Sequence, residues 1–263
     1  DYYMTKILFM GRKRLSANLL RFLSLQDSIE IVGVLTDSHL QGSPTTAAAK
    51  ELGLTLYTFD TALEAMKEGR LKYDLGLSVL YWRKLRDEFL TTPHLGTINF
   101  HPALLPEYKG TGGYNLAIMD ELSEWGSTAH YVDASIDTGE IIEVDRFPID
   151  SSVETAQSLE RKTMQALEPF AQRIIARAVE AQAKLPTTPN IGGRYVSRDA
   201  MEAMKQIHDG DDVEKKIRAF WFPPYDGAYV EIDGQKYTLI NRQLLEEVAP
   251  KDSTSLFAGK ANA

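Results

Sequence analysis

The chain of 263 residues contains no cysteine. That excludes a disulfide framework, a thiolate metal site and a cysteine nucleophile, and it fits a reducing compartment, so a cytoplasmic location is expected. No apolar run approaches the roughly 18 residues that a membrane span needs, and no membrane partner is expected. Basic residues are in deficit, 29 Lys and Arg against 37 Asp and Glu, for a net charge of −8. Non-specific nucleic-acid binding, which needs a phosphate-neutralising excess, is thereby disfavoured. Histidine is sparse: His39, His94, His101, His130 and His208 show no ligand spacing, and no metal is expected. After the first strand only Gly11 stands where a dinucleotide turn wants Gly-x-Gly-x-x-Gly, which demotes a nicotinamide-dependent oxidoreductase. Asp1-Tyr2-Tyr3 has no signal-peptide character, and Met4 reads as the natural start. What is present, 43% hydrophobic residues over this length, suffices for one large domain or one domain with a small appendage.

Short apolar runs alternate with helical spacing over the first hundred residues. Strands are expected over 6–11, 29–35, 54–59 and 73–80, and helices over 15–23, 45–52 and 61–68. This βαβα rhythm predicts an α/β fold, a Rossmann-like, mostly parallel sheet with helices on both faces. From Thr97 to Gly139 the chain turns rich in Gly, Pro, His and Asp, with one helix over 114–121 and one strand over 127–132. Ligands of open α/β sheets gather at such loops beyond the carboxyl ends of strands. Ser151 and Glu154 form a capping-box pattern ahead of a long amphipathic helix reaching residue 183, with Leu159, Thr163, Leu167, Phe170, Ile174 and Ala178 on one face. Pro169 predicts a kink or break in it. Residues 185–190 read as a linker. Beyond it are helices over 200–207 and 212–219 and strands over 228–232 and 236–240, with Asp233-Gly234 as a hairpin turn. The expected organisation is a catalytic domain over 4–185, a small mixed α/β C-terminal domain over 191–250 and a disordered tail over 251–263.

The most informative segment is Thr97-Ile98-Asn99-Phe100-His101-Pro102. In an extended chain the period of two puts Asn99 and His101 on one face, and Pro102 ends the strand. An amide there can donate to a developing oxyanion, and an imidazole can take up a proton near neutral pH. The other reading is a polar pair that merely caps a strand end. A second segment, Gly126 to Ile142, places Asp137 in a turn between two strands, with Gly139 available for positive φ. A carboxylate at that point could orient His101 or satisfy its own turn.

Together these segments resemble the superfamily of formyltransferases that use 10-formyltetrahydrofolate. Its pattern Asn-x-His-Pro-x-Leu-Leu-Pro-x-aromatic-basic-Gly is matched by Asn99, His101, Pro102, Leu104, Leu105, Pro106, Tyr108, Lys109 and Gly110, and its Asp-x-Gly pattern by Asp137-Thr138-Gly139. The interval from His101 to Asp137 also agrees. The resemblance covers residues 4–245 and is weakest over 33–71. It implies a catalytic trio of Asn99, His101 and Asp137. It also implies a folate site around Ser78, Leu80 and Trp82 on one side and Asp133, Ala134 and Ile136 on the other, with 10-formyltetrahydrofolate as formyl donor.

Within the superfamily the acceptor is methionyl-tRNA, glycinamide ribonucleotide or a nucleotide-linked amino sugar. The −8 charge and a connection over 36–46 without Lys or Arg stand against tRNA. The region after the long helix, with Phe220-Trp221-Phe222-Pro223-Pro224-Tyr225-Asp226-Gly227-Ala228, resembles the sugar N-formyltransferase branch. On that reading Arg12 and Lys13 meet a pyrophosphate. Tyr81, Lys109, Gly110, Thr111 and Tyr114 approach the acceptor, and Trp221 or Tyr225 stacks on a base or packs a core. The implied partners are a nucleotide-linked amino sugar, as in O-antigen-type surface polysaccharide synthesis, and folate. A homodimer is a family expectation. A formyltetrahydrofolate hydrolase and a catalytically silent sugar-nucleotide-binding module are the alternatives; the intact trio stands against the second.

Overall fold

The computed structural model describes residues 3–251. The first half contains β1 (Thr5–Gly11), α1 (Lys13–Ser24), β2 (Ile29–Leu35), α2 (Pro44–Glu51), β3 (Leu56–Tyr57), α3 (Phe59–Lys67), β4 (Leu75–Val79), α4 (Asp87–Thr91) and β5 (Thr97–His101). Then β6 (Tyr108–Gly110), α5 (Gly113–Met119), β7 (Glu124–Tyr131) and β8 (Ile141–Pro148) lead into the long α6 (Ala156–Ala181). The remainder is β9 (Arg194–Val196), α7 (Arg198–Met204), α8 (Val213–Ala219), the hairpin β10 (Tyr229–Ile232) and β11 (Gln235–Thr238), and α9 (Arg242–Val248).

Seven strands form one sheet in the order β3-β2-β1-β4-β5-β7-β8. The five from β3 to β5 are parallel, and β7 and β8 extend the sheet antiparallel. β1 is an apolar run because both faces are covered. Its Ile7 and Phe9 join the cluster under α1 and α6, while Leu8 and Met10 join the opposite cluster with Leu63 of α3 and Phe89 of α4. The chain leaves β1 for β2 on one side, and β4 pairs with β1 on the other. A crevice therefore opens beyond the carboxyl ends of β1 and β4, the topological switch point where such sheets bind ligands.

Several local expectations are corrected. The strand expected over 54–59 shrinks to Leu56–Tyr57, because the Thr58 hydroxyl accepts the Thr61 N–H at 3.1 Å and starts α3 one residue later. Ser151 and Glu154 do not cap α6; Thr155 and Ser158 form the reciprocal box. Glu154 is buried and paired with the Ser158 hydroxyl and Lys162. Pro169 does not break α6, which runs unbroken for 26 residues. Pro169 and Gln165 are exposed, so the carbonyl that loses its i+4 donor can bond water. The predicted apolar face of α6 is buried as expected.

After α6 the chain returns to the sheet. Val196, Met201, Ala219 and Phe220 share one buried cluster with Trp125 of β7 and Leu116 of α5, and a small cluster of Ile217, Ala228 and Leu244 lies beyond. The division near residues 185–191 stands as a proposal. The tail expected over 251–263 lies, Lys251 apart, outside the described residues. Among the described residues no helix is long and apolar enough to cross a membrane.

Candidate active site

β5 is a central strand, hydrogen-bonded to β4 on one side and β7 on the other. Its even positions Ile98 and Phe100 are buried in the core, and Asn99 and His101 face the other way, at the carboxyl edge. The loop after it is anchored by Thr128: the hydroxyl donates to the Ala103 carbonyl at 2.8 Å and accepts the Leu105 N–H at 3.0 Å. In the β5–β7 register Asn99 lies opposite His130, which brings the two side chains together on one face.

This register creates a relay whose proton positions follow from chemistry. His130 Nδ1 is 2.9 Å from the Tyr131 carbonyl, so it carries the hydrogen. Nε2 is then an acceptor, and it takes a hydrogen from Asn99 Nδ2 at 3.0 Å. The Asn99 amide is thus fixed with its nitrogen toward His130, leaving its second N–H free in the cleft that Asn99 lines. His101 is held differently: Nε2 donates to the Tyr108 carbonyl at 2.8 Å, and Nδ1 faces Asp137 Oδ1 at 3.6 Å, within ion-pair reach of the carboxylate. The expectation that Asp137 orients the imidazole is modified, because the Tyr108 carbonyl holds the ring.

Asp137 Oδ2 accepts the Gly110 N–H at 2.8 Å, and Oδ1 lies 3.9 Å from His130 Nε2. Its backbone is left-handed, φ 57°, and the turn passes so close to β7 that a Cβ on Gly139 would collide with the Tyr131 carbonyl. Burial lowers the His130 pKa below its usual 6.5, more than the Tyr131 carbonyl and Asp137 raise it. The neutral acceptor form is thereby kept.

The cleft around these groups encloses about 440 Å³, within the range of small-molecule sites. Of the residues singled out from sequence, it brings together Asn99, His101 and Asp137 with Ser78, Leu80, Tyr81 and Trp82 on the β4 side. Asp133, Ile136, Gly110, Thr111 and Arg12 complete that set. Leu80 at φ 59° turns the chain after β4 along the rim. Arg12 is held 3.7 Å from Asp37, whose carboxylate accepts from Ser43 at 2.6 Å and Thr36 at 2.9 Å. Burial opposes the Asp37 charge, but those two hydroxyls and Arg12 bring its pKa below the ordinary carboxylate value.

Other candidates lie elsewhere. Lys109 does not face the cleft; in the β6–β9 pair its ammonium donates to the Gly192 carbonyl at 2.6 Å. Tyr114 is packed against Trp125, where burial raises its pKa. Trp221 packs on the small C-terminal cluster, and Tyr225 is 72% exposed beside Phe222, outside the cleft. Lys13 and Ala134 are exposed and do not line it. The reading from sequence missed His130, whose role needs the antiparallel register. It also missed Arg83, Lys84, Tyr195 and Arg198, which line the cleft. Tyr195 and Arg198 arrive from the chain after α6, with the Tyr195 ring against Gly110.

An amide, an imidazole and a carboxylate thus meet in a cleft at the carboxyl ends of β4 and β5, a combination able to stabilise a developing oxyanion and to move a proton. The family model described as "Formyl transferase" matches residues 23–175. The chain belongs to the formyl transferase family and is an N-formyltransferase. It is 30% identical over 248 residues to a methionyl-tRNA formyltransferase of Lysinibacillus sphaericus, covering 88% of this chain and 76% of that protein. In fold it is similar to a 4-N formyltransferase from Francisella tularensis, with TM-score 0.74 and 22% identity over 90% of this chain and 97% of that one. It is also similar to an N-formyltransferase from Helicobacter canadensis in complex with folinic acid and dTDP-3-aminofucose, with TM-score 0.71 and 23% identity over 89% and 86% of the two chains.

Proposed function

We propose that the protein transfers a formyl group from 10-formyltetrahydrofolate to the amine of a nucleotide-linked amino-deoxy sugar, in the cytoplasm, for surface polysaccharide synthesis. The observation that carries the acceptor reading is the charge of the cleft. In a protein of net charge −8, its lining holds Arg12, Arg83, Lys84 and Arg198 against Asp133 and Asp137, and with Asp37 beside Arg12 counted as well cations still outnumber carboxylates. A small acceptor bearing a diphosphate fits this local excess. The β2–α2 connection, where a tRNA enzyme would present cations, has none over residues 36–43. The sequence likeness to methionyl-tRNA enzymes favours a second reading, formylation of methionyl-tRNA.

The folate site is read between the turn at Leu80–Trp82 and the loop at Asp133–Ile136. Leu80, Tyr81 and Trp82 on one side and Asp133, Ser135 and Ile136 on the other line the cleft beside Asn99, and its volume suits a pterin. The donor supplies an activated formyl carbon. The protein's own part is electrostatic and acid–base. The free N–H of Asn99 donates to the oxyanion as it forms. His101 Nδ1 removes the proton from the acceptor nitrogen as the new C–N bond forms, and Asp137 stabilises the resulting imidazolium. That proton passes to the folate nitrogen as its bond to the formyl carbon breaks and tetrahydrofolate leaves. Offering the enzyme 10-formyltetrahydrofolate with equal amounts of dTDP-, GDP- and UDP-linked amino sugars, glycinamide ribonucleotide and methionyl-tRNA tests the assignment. Consumption of a sugar nucleotide is expected; consumption of methionyl-tRNA alone would replace this reading with the second.

A further inference from the structure

Residues 187–196, beyond the stretch matched by the family model, cross the two loops that hold the acid–base pair. Thr188 exchanges two main-chain hydrogen bonds with Ile141, at 2.8 and 2.9 Å. Two residues on, Asn190 Nδ2 donates to the main-chain carbonyls of Asp137 at 2.9 Å and Gly139 at 2.8 Å. The strand then continues as β9 alongside β6, which contains Tyr108 and Gly110.

The loop has an anchor of its own in the Asp133 carboxylate, which accepts from the Ser135 N–H at 3.0 Å and the Thr138 hydroxyl at 2.6 Å, but neither bond engages the main-chain carbonyls of Asp137 and Gly139 that Asn190 takes up. The β7–β8 ladder ends at His130 and Ile141, and Asp137 is left-handed, a conformation that side chains disfavour unless surroundings impose it. An asparagine amide has two N–H groups and can satisfy both carbonyls of this turn at once; Ser or Thr has one donor. The Asp137 carboxylate is meanwhile fixed by the Gly110 N–H. The same strap thus fixes the backbone of Asp137 and, through β6, the groups that hold Asp137 and His101.

We propose that Asn190 is a positioning residue of the formyl transfer: by clamping the 137–139 turn it sets the Asp137 carboxylate beside His101 Nδ1. The proposal rests on the assignment of Asp137 to the acid–base machinery. In Asn190→Ala, assayed with 10-formyltetrahydrofolate and dTDP-3-aminofucose, kcat should fall about tenfold while KM for both substrates stays within about twofold. In an Asp137→Asn background the same change should alter kcat by less than about twofold, because the carboxylate it positions is gone. Equal losses in both backgrounds would make Asn190 merely structural and overturn the proposal. Asn190→Ser, which keeps one donor, should fall between wild type and Ala, and serves if the Ala variant does not fold. An acceptor-independent readout separates this proposal from the functional reading. The Gly110 amide proton, followed by NMR, should move upfield and exchange faster in either variant as Asp137 leaves it. An unchanged Gly110 resonance in a folded variant would overturn the proposal whichever acceptor the enzyme uses.

Discussion

The Asn99–His130 contact offers a sharp perturbation, because two substitutions at one position make opposite predictions. In His130→Ala, Asn99 loses the acceptor at 3.0 Å that fixes its amide. Asn99 is half-buried, so losing that acceptor costs about 1–2 kcal/mol, and with the amide free to rotate much of that appears in the transition state, where each 1.36 kcal/mol is about tenfold. The expected result is a kcat lower by about 5- to 30-fold, with KM for the donor little changed. The cavity left by an imidazole only 2% exposed adds destabilisation of about 2 kcal/mol or more. In His130→Gln the Oε1 atom can take the place of Nε2 as acceptor, so turnover should stay within about threefold of wild type. Steady-state release of tetrahydrofolate with an accepted sugar nucleotide measures both. The pH dependence of stability gives an independent check. Because the folded-state pKa of His130 is lowered from 6.5, the unfolded chain binds the proton first, and the wild type loses stability as the pH falls from 6.5 through the folded value. The Gln variant has no such component and should show a flatter acid limb. A Gln variant as defective as Ala, or an Ala variant with wild-type turnover, would refute the relay.

Three further outcomes follow from the same geometry. Asn99→Ala removes the oxyanion donor and should lower kcat by about a hundredfold or more, a loss of about 3–4 kcal/mol, while folinic acid binding measured by calorimetry is retained. Arg12→Ala and Arg198→Ala should each weaken binding of a dTDP-amino sugar by about tenfold, as expected for one charge-assisted contact, and leave folinic acid binding unchanged; an equal loss for both ligands would place these cations elsewhere in the chemistry. Asp37→Asn should destabilise the protein by about 1 kcal/mol at neutral pH. Because the folded-state pKa of Asp37 is lowered below 3.8, its contribution is present above that value and lost as the pH falls through the folded value. The gap between variant and wild type in denaturant melts should therefore close in acid.

What was legible in the sequence was what depends on neighbours along the chain. Asn99 and His101 were readable because strand periodicity and Pro102 fix their face and their exit, and Asp137 because Asp-Thr-Gly signals a turn, although the positive φ expected at Gly139 falls on Asp137 itself. The parallel half of the sheet was readable for the same reason: Ile7 to Met10 form a run that only a doubly covered strand would carry. What stayed hidden depends on contacts between distant segments. His130 looked like one histidine in a strand until the β5–β7 register set it opposite Asn99. Asn190 looked like linker because its two acceptors lie in a loop more than fifty residues earlier. Lys109 was misplaced because nothing local shows that β6 pairs with β9 and takes the ammonium to Gly192. At the start of α6 the Ser151–Glu154 pattern misled, because Glu154 is buried against Lys162 and the Ser158 hydroxyl and the cap falls to Thr155 instead.

The most direct test of the account uses a donor whose formyl carbon is labelled with carbon-13, incubated with dTDP-3-aminofucose and related nucleotide-linked amino sugars. The account predicts that one of them acquires a labelled N-formyl amide resonance with the wild-type enzyme and none with His101→Ala. Labelled formyl appearing only on methionyl-tRNA or glycinamide ribonucleotide would contradict the acceptor, and full transfer by His101→Ala would contradict the chemistry.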